Sequence, residues 1–108
     1  MTDALAAAAE PTRRRILQLL APGPKYAGDI ASHFDVTRSA ISQHLGVLAE
    51  AGLVAAEQQG RQRLYRIDPS GVARLQAEIA SFWTRELDEL VRDAHRAVNR
   101  SAPPEEKP

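Results

Sequence analysis

The chain has 108 residues, of which 44% are apolar and 26% charged, a size and composition that fit one folded domain and exclude a fibrous or wholly disordered protein. It contains no cysteine, so disulfides, thiolate metal sites and cysteine nucleophiles are excluded. Its fourteen basic and fourteen acidic residues cancel, yet from Pro11 to Arg66 basic residues outnumber acidic ones by eight to four. The centre of the chain is therefore basic, and its two ends are relatively acidic.

No segment that crosses a membrane is predicted. The longest apolar run, residues 4–9, is far shorter than the roughly 20 residues that span a bilayer. Asp3 stands where a signal peptide carries positive charge. We therefore expect a cytoplasmic protein.

Three short helices are predicted in the first third of the chain. Residues 4–9, which are mostly alanine, form the first. Thr12 caps a second helix that begins near Arg13 and ends at the prolines of positions 22 and 24, because proline has no amide hydrogen to donate. An apolar side chain recurs every four residues from Tyr26 onward, which predicts a third helix over residues 27–34.

A longer fourth helix is predicted over residues 37–51. Thr37 is its N-cap, and Gly52 ends it in the left-handed conformation that glycine adopts without strain. Its apolar side chains recur at helical spacing and form one buried stripe, which consists of Ile41, Leu45 and Leu48.

The opposite face of this fourth helix is small and polar. It carries Ser39, Ser42, Gln43 and Gly46, and Arg38 adds a positive charge at the helix start. Serine and glutamine can hydrogen-bond to base edges or phosphates, so this face suits the major groove of DNA. A helix that faces only water would carry similar residues, and both interpretations stay open at this point.

Four other residues near these helices are ambiguous. Arg13, Arg14 and Arg15 point in three directions on a helix, so at most one or two of them can serve a common DNA surface. His44 lies toward the buried margin of the fourth helix. A packed or locally hydrogen-bonded histidine and a phosphate contact are both open for His44, and metal ligation is disfavoured.

A β-hairpin follows. Residues 53–58 and 63–67 have the composition of short strands, and residues 59–62 form a turn in which glycine supplies the special backbone geometry. Arg61 and Arg63 lie at and beyond this tip, where a wing can follow phosphates or enter the minor groove. The alternative is a solvated basic edge strand that resists aggregation.

The last predicted helix is long. It starts at residues 68–70, and an apolar repeat continues from Val72 to Val98. A helix over residues 70–99 is about 45 Å long at 1.5 Å per residue. Four short helices cannot cover such a stripe, so we expect a partner helix, although the stripe could instead fold back on its own chain. The residues expected at this dimer interface are Leu5, Ile79, Phe82, Trp83, Leu87, Leu90 and Val91.

Two features of this last region carry separate expectations. Phe82 and Trp83 could line a small pocket at the interface, but aromatic residues on a long helix are more often part of the packing. Residues 1–100 are expected to form a single domain, and residues 101–108, with three prolines and two glutamates, a disordered tail.

The predicted order of elements, α-α-α-α-β-β-α, is that of a winged helix-turn-helix: mainly α with a small β-hairpin. Four segments together resemble the ArsR-type family of winged-helix repressors over about residues 4–98, namely ALAAAAEPTRRRILQLL, GDIA, TRSAISQHLGVLAEAGLV and GRQRLYRID. The resemblance implies a cytoplasmic homodimer, joined through its N- and C-terminal helices, that binds inverted-repeat operator DNA at its own or a neighbouring promoter. It also implies release of the DNA by an effector of unassigned identity.

The resemblance implies DNA-binding positions for specific residues. On the recognition element and the wing it places Thr37, Arg38, Ser39, Ser42, Gln43, His44, Arg61 and Arg63. Gly46 departs from the pattern because relatives often have a basic residue there, and Ala55 and Ala56 stand where charged residues are common. Some contacts to the DNA backbone are therefore expected to be missing.

Metal sensing is not expected. Founding members of the family bind metals through cysteines before the recognition helix, and residues 25–31 contain none. A second type of site uses an Asp-x-His pair and a later histidine on the final helix; Asp93 and His95 supply the first half, but no histidine follows. We predict no metal site and no cofactor.

The leading hypothesis is a sequence-specific, dimeric transcriptional repressor. The alternative is a winged-helix module that binds proteins without contacting DNA, which the zero net charge and the small residues at Gly46, Ala55 and Ala56 would fit. An enzyme is not expected, because the sequence shows no Ser-His-acid arrangement, phosphate-binding glycine loop or supportive carboxylate pair.

Overall fold

The computed structural model describes residues 3–101, which form two units that divide after Gln76. The elements are α1 (Ala4–Ala9), α2 (Pro11–Leu20), β1 (Lys25–Tyr26), α3 (Ala27–Ala31), α4 (Arg38–Glu50), β2 (Val54–Gln59), β3 (Gln62–Ile67) and α5 (Pro69–Ser101). This order confirms a mainly helical winged helix-turn-helix with a β-hairpin. The helix α5 includes Ser101, and the rest of the predicted tail lies outside the described residues.

The corner between α1 and α2 is made by Glu10, which corrects one prediction. Glu10 has extended backbone, and its Oε2 accepts a hydrogen bond from the Arg13 amide at 2.8 Å. Pro11 occupies the first position of α2, where a missing amide hydrogen costs nothing. The predicted cap at Thr12 was wrong because α2 begins before it.

The third helix is shorter than predicted, and a strand precedes it. The helix α3 covers only Ala27–Ala31, while Tyr26 is extended and pairs with Leu64 of β3. β1 thereby adds a third strand to the predicted hairpin, in the sheet order β1-β3-β2. A local four-residue repeat could not reveal this pairing, because the partner strand is distant in the sequence.

The hairpin of β2 and β3 has a tighter tip than predicted. The strands pair antiparallel from Val54 opposite Ile67 to Gln59 opposite Gln62, which leaves only Gly60 and Arg61 at the tip. Gly60 has φ of 63°, the left-handed conformation for which glycine was expected. Arg61 is therefore held at the outermost turn of the wing.

The core of the first unit is built where the four helices meet the loop that enters β2. The predicted stripe of α4 is buried as expected, and it packs with apolar residues from the other elements. The largest fully buried side chains are Ile16, Leu20, Ile30, Ile41, Leu45, Leu48 and Leu53. Each such side chain stabilises the fold by about 1.5–3 kcal/mol relative to exposure.

The start of α5 is fixed to the turn that follows α4. Asp68 Oδ1 accepts hydrogen bonds from the Ser70 amide at 3.1 Å and the Gly71 amide at 3.3 Å, which caps the helix. Gly52 in this turn has φ of 78°, as predicted for the end of α4. A β-carbon on Gly71 would lie 1.7 Å from the Gly52 carbonyl oxygen, so only glycine allows this close approach.

Candidate nucleic-acid interface

The helix α4 presents one polar face, which we call the reading face: Ser39, Ser42, Gln43 and Gly46. All four residues are exposed, in agreement with the prediction, while the opposite stripe is buried. The Thr37 side chain accepts a hydrogen bond from the Ala40 amide at 3.0 Å, which fixes the start of the helix. The reading face is thus a rigid row of small polar side chains.

Gly46 leaves the C-terminal end of the reading face open. A β-carbon built on it would meet nothing within 4 Å. Glycine inside a helix costs about 1 kcal/mol relative to alanine, and no packing neighbour explains that cost here. The absence of a side chain lets another molecule approach the α4 backbone closely.

Three arginines converge on a cleft beside the start of α4. Arg38, Arg61 and Arg63 line a cavity of about 230 Å³, which we call the arginine cleft. Its remaining lining consists of uncharged residues, namely Tyr26, Ala27, Gly28, Gln58 and Gln62. Within residues 3–101 the ion pairs at salt-bridge distance involve other residues, so the three guanidiniums have no carboxylate partner there. The cleft is therefore suited to an anion.

Two residues that the sequence analysis did not single out shape this cleft. A β-carbon on Gly28 would lie 3.2 Å from Nη2 of Arg38, so the glycine leaves room for that guanidinium. The Tyr26 hydroxyl donates to Oε1 of Gln59 at 3.0 Å and ties the wing to β1. No local pattern predicts this contact, because Tyr26 and Gln59 are 33 positions apart in the sequence.

The three consecutive arginines of α2 point in different directions, as expected. Arg13 turns toward α1 and α4, and its Nε donates to the Ala7 carbonyl at 2.7 Å. Arg15 places its guanidinium 5.1 Å from the centre of the Phe34 ring, a distance that allows a cation–π contact. Arg14 is exposed. Two of the three arginines are therefore engaged within the fold.

His44 lies at the margin of α4 rather than on the reading face. Its side chain is 24% exposed, and its Nδ1 lies 3.1 Å from Nη1 of Arg13. Oε2 of Glu10 is farther away, at 3.7 Å from the same nitrogen. The hydrogen bond from the Arg13 amide lowers the pKa of the Glu10 carboxyl below its ordinary value of 4.5.

The second unit carries a set of exposed apolar side chains, which we call the apolar stripe. Phe82 and Trp83 contact each other edge to face, with ring centres 5.3 Å apart. The exposed fractions of the stripe are 43% for Phe82, 50% for Trp83, 53% for Leu87, 58% for Leu90, 55% for Val91 and 62% for Val98. Of the other residues predicted at a dimer interface, Ile79 and Leu5 are half-buried.

Two other features are absent from residues 3–101, namely a metal-binding cluster and a membrane-spanning helix. Within residues 3–101, no group of three or more histidine, aspartate or glutamate side chains is arranged to hold a metal ion. In the same part of the chain, no helix combines the length and apolar character that a membrane crossing needs.

Comparisons with known proteins agree with this geometry. Residues 10–56 match the family described as bacterial regulatory protein, arsR family. Over 81 residues the chain is 46% identical to the HTH-type transcriptional regulator Rv2034 of Mycobacterium tuberculosis, a match that covers 75% of this chain and 76% of the relative.

Two solved structures are similar as well. The crystal structure of a possible transcriptional regulator for arsenical resistance has a TM-score of 0.76 and 56% identity, and the match covers 86% of this chain and 97% of that chain. A solution structure of a homodimeric winged helix-turn-helix DNA-binding domain from Mycobacterium bovis has a TM-score of 0.61 and 32% identity over 80% of both chains. The chain therefore belongs to the ArsR family of DNA-binding transcriptional regulators, which are not enzymes.

Proposed function

We propose that the chain is a homodimeric repressor that reads an inverted-repeat operator with the reading face of α4 and grips the DNA backbone with the arginine cleft. One observation carries the proposal above all. The reading face is exposed on a helix whose other side is buried in the core, and the cleft beside its start is lined by three arginines that have no carboxylate partner within residues 3–101. A polar face and a basic cleft on one structural unit match the two kinds of contact that protein–DNA recognition needs.

The reading face supplies the sequence-specific contacts. The Gln43 amide can donate and accept at once, which suits the edge of adenine in the major groove. Ser39 and Ser42 add hydroxyls that bond to base edges or phosphates. Thr37 and Arg38 stand at the start of α4, the end of a recognition helix that contacts DNA in helix-turn-helix proteins.

The arginine cleft supplies the contacts that do not depend on sequence. Each phosphate neutralised by an arginine releases condensed counterions, so the logarithm of the affinity falls by about 0.9 per contact for each unit of the logarithm of salt concentration. Arg61 at the wing tip and Arg63 on β3 are the wing residues of this contact. Arg38 joins them from α4.

Dimerisation rests on the apolar stripe. Six large apolar side chains at 43–62% exposure would form an unusual surface on a monomer. The similarity to a homodimeric domain from Mycobacterium bovis supports a dimer built from the same fold. We assign its interface to the predicted residues, which are Leu5, Ile79, Phe82, Trp83, Leu87, Leu90 and Val91.

Twofold symmetry then defines the operator. Two recognition helices enter successive major grooves about 34 Å apart, so the half-sites are centred about 10 base pairs apart. A dimer that covers such a site at its own or a neighbouring promoter blocks access to that promoter. We place this action in the cytoplasm, and because the chain has no cysteine, we assign it no metal signal.

Gel-shift titrations on DNA selected from a random pool test the proposal. We expect Arg61→Ala to weaken binding to every sequence about tenfold and to reduce the salt slope by about 1. Gln43→Ala instead changes which sequences are preferred. Arg100→Ala, which removes the same charge from the last turn of α5, is the matched control. The proposal is wrong if Arg61→Ala behaves like this control, or if no sequence is enriched.

A further inference from the structure

One guanidinium joins the N-terminal helix to the recognition helix. Arg13 lies in the first turn of α2, and its Nε donates to the Ala7 carbonyl of α1 at 2.7 Å. Its Nη1 lies 3.1 Å from Nδ1 of His44 in α4. Three helices thus meet at a single side chain, which is held on both sides.

The contact between Arg13 and His44 can have only one direction. A guanidinium can only donate hydrogen bonds, so Nδ1 of His44 must accept from Arg13. The ring is then neutral and carries its proton on Nε2. Oε2 of Glu10 is farther from Nδ1, at 3.7 Å, and it accepts a hydrogen bond from the Arg13 amide at 2.8 Å.

The charged groups that face the imidazole are few. They are Arg13 of α2 and Glu10, the N-cap that precedes α2. From α1 the contact is made by the uncharged Ala7 carbonyl, which reaches the cluster through Arg13. In residues 3–101, neither α3 nor β2, which also pack on α4, places a charged group at hydrogen-bond or salt-bridge distance from His44.

We propose that His44 is a positioning residue: as a neutral acceptor it ties α4 to α1 through Arg13 and so fixes the orientation of the reading face. This inference rests on the proposed function. Protonation turns Nδ1 into a donor and places an imidazolium against a guanidinium. The bond to Arg13 is then lost, and Glu10 becomes the partner of the protonated ring.

The sign of the pH effect separates this role from a direct DNA contact. A histidine that touched a phosphate would strengthen binding when it gained a positive charge. A tether that needs the neutral ring weakens binding instead. Acidification from pH 7.5 to 5.5, where histidines take up a proton, therefore distinguishes the two roles.

The first experiment measures the affinity for the selected operator from pH 8 to 5.5 at constant ionic strength. We expect the wild-type affinity to fall about threefold to tenfold on acidification, the effect of losing one hydrogen bond. His44→Asn places its Oδ1 where Nδ1 stands in histidine, so it keeps an acceptor for Arg13 but does not titrate, and its affinity should stay constant from pH 8 to 5.5.

His33→Gln is the matched control. Its Nδ1 lies 2.8 Å from the Asp29 carbonyl oxygen, outside this cluster, so the fall with pH should persist in this variant. The inference is overturned if His44→Asn follows the wild-type profile, or if wild-type binding strengthens on acidification and His44→Asn abolishes that gain.

The second experiment needs no DNA. Nitrogen-15 NMR of the histidine rings in the full chain at pH 7.5 should show His44 protonated at Nε2, with Nδ1 accepting a hydrogen bond. Arg13→Lys should shift the Nδ1 resonance, whereas the His95 ring should not change. A proton on Nδ1, or no response to Arg13→Lys, contradicts the inference. If the NMR result holds but no DNA is bound specifically at pH 7.5, the proposed function fails and the Arg13–His44 bond stands.

Discussion

Leucines of the same chain have opposite environments in its two units. Leu45 and Leu48 of the first unit are 1% and 0% exposed, whereas Leu87 and Leu90 of the second are 53% and 58% exposed. The first unit buries its apolar side chains among its own helices and sheet. The second leaves them in contact with water, so its stability should depend on a partner. Leucine therefore stabilises the fold in the first unit, whereas in the second unit it is available to stabilise the proposed dimer.

The largest expected effect comes from charging the apolar stripe. Leu87→Glu combined with Leu90→Glu removes about 2 kcal/mol of apolar burial per leucine and places carboxylates against each other in a dimer. We expect a monomer at concentrations where the wild type is a dimer, because the dissociation constant of the dimer should rise at least about a thousandfold. Sedimentation velocity measures this, and Glu89→Gln on the same turn is the control. A double variant that remains a dimer would contradict the assignment of the interface to the apolar stripe.

Truncation of one leucine in each unit compares how far the stability of each unit depends on that side chain. Leu45→Ala leaves a cavity in the core and should lower the free energy of unfolding by about 2–5 kcal/mol. Leu90→Ala removes a half-exposed side chain and should cost less than about 0.5 kcal/mol in a monomer. Urea denaturation at dilute protein concentration measures both values. Equal losses for the two variants would show that the second unit is as self-sufficient as the first.

Two glycines test the packing of the first unit at closer range. Gly71→Ala forces a β-carbon toward the Gly52 carbonyl and should lower the free energy of unfolding by about 1–3 kcal/mol. Gly46→Ala meets open space, so it should raise the stability by up to about 1 kcal/mol. Thermal denaturation gives the order of these effects. A stable Gly71→Ala variant would mean that α5 does not depend on the close approach at Gly52.

The smallest effect concerns the acid dependence of the first unit. The pKa of Glu10 is lowered in the folded chain, chiefly by the hydrogen bond from the Arg13 amide. The contribution of the Glu10 carboxylate to the free energy of unfolding is therefore complete above the ordinary pKa of 4.5. It disappears as the pH falls through the lower pKa of the folded chain. We expect Glu10→Gln to cost up to about 1 kcal/mol at pH 7 and nothing at strongly acid pH. A difference from wild type that is independent of pH would exclude the carboxylate charge as the cause.

Local patterns predicted the parts of the structure that depend on neighbours along the chain. The stripe of α4, its cap at Thr37 and the left-handed glycines at 52 and 60 all follow from periodicity or from one residue's backbone preference. The strand β1 was missed because Tyr26 becomes extended by pairing with Leu64, which no local repeat encodes.

The same limit applies to the candidate site. The polarity of the reading face and the arginines of the wing could be read from the sequence, because helical and strand periods place them. The contact of Arg13 with His44 could not, because it joins residues 31 positions apart and depends on how α2 packs against α4. Long-range packing decides which polar side chains face DNA and which hold the fold.

The most direct test of the central claim is the footprint and stoichiometry on DNA selected from a random pool with the purified chain. The account predicts an inverted repeat with half-sites centred about 10 base pairs apart, protected on one side of the duplex and occupied by two chains. A single asymmetric half-site, saturated by one chain, would contradict it.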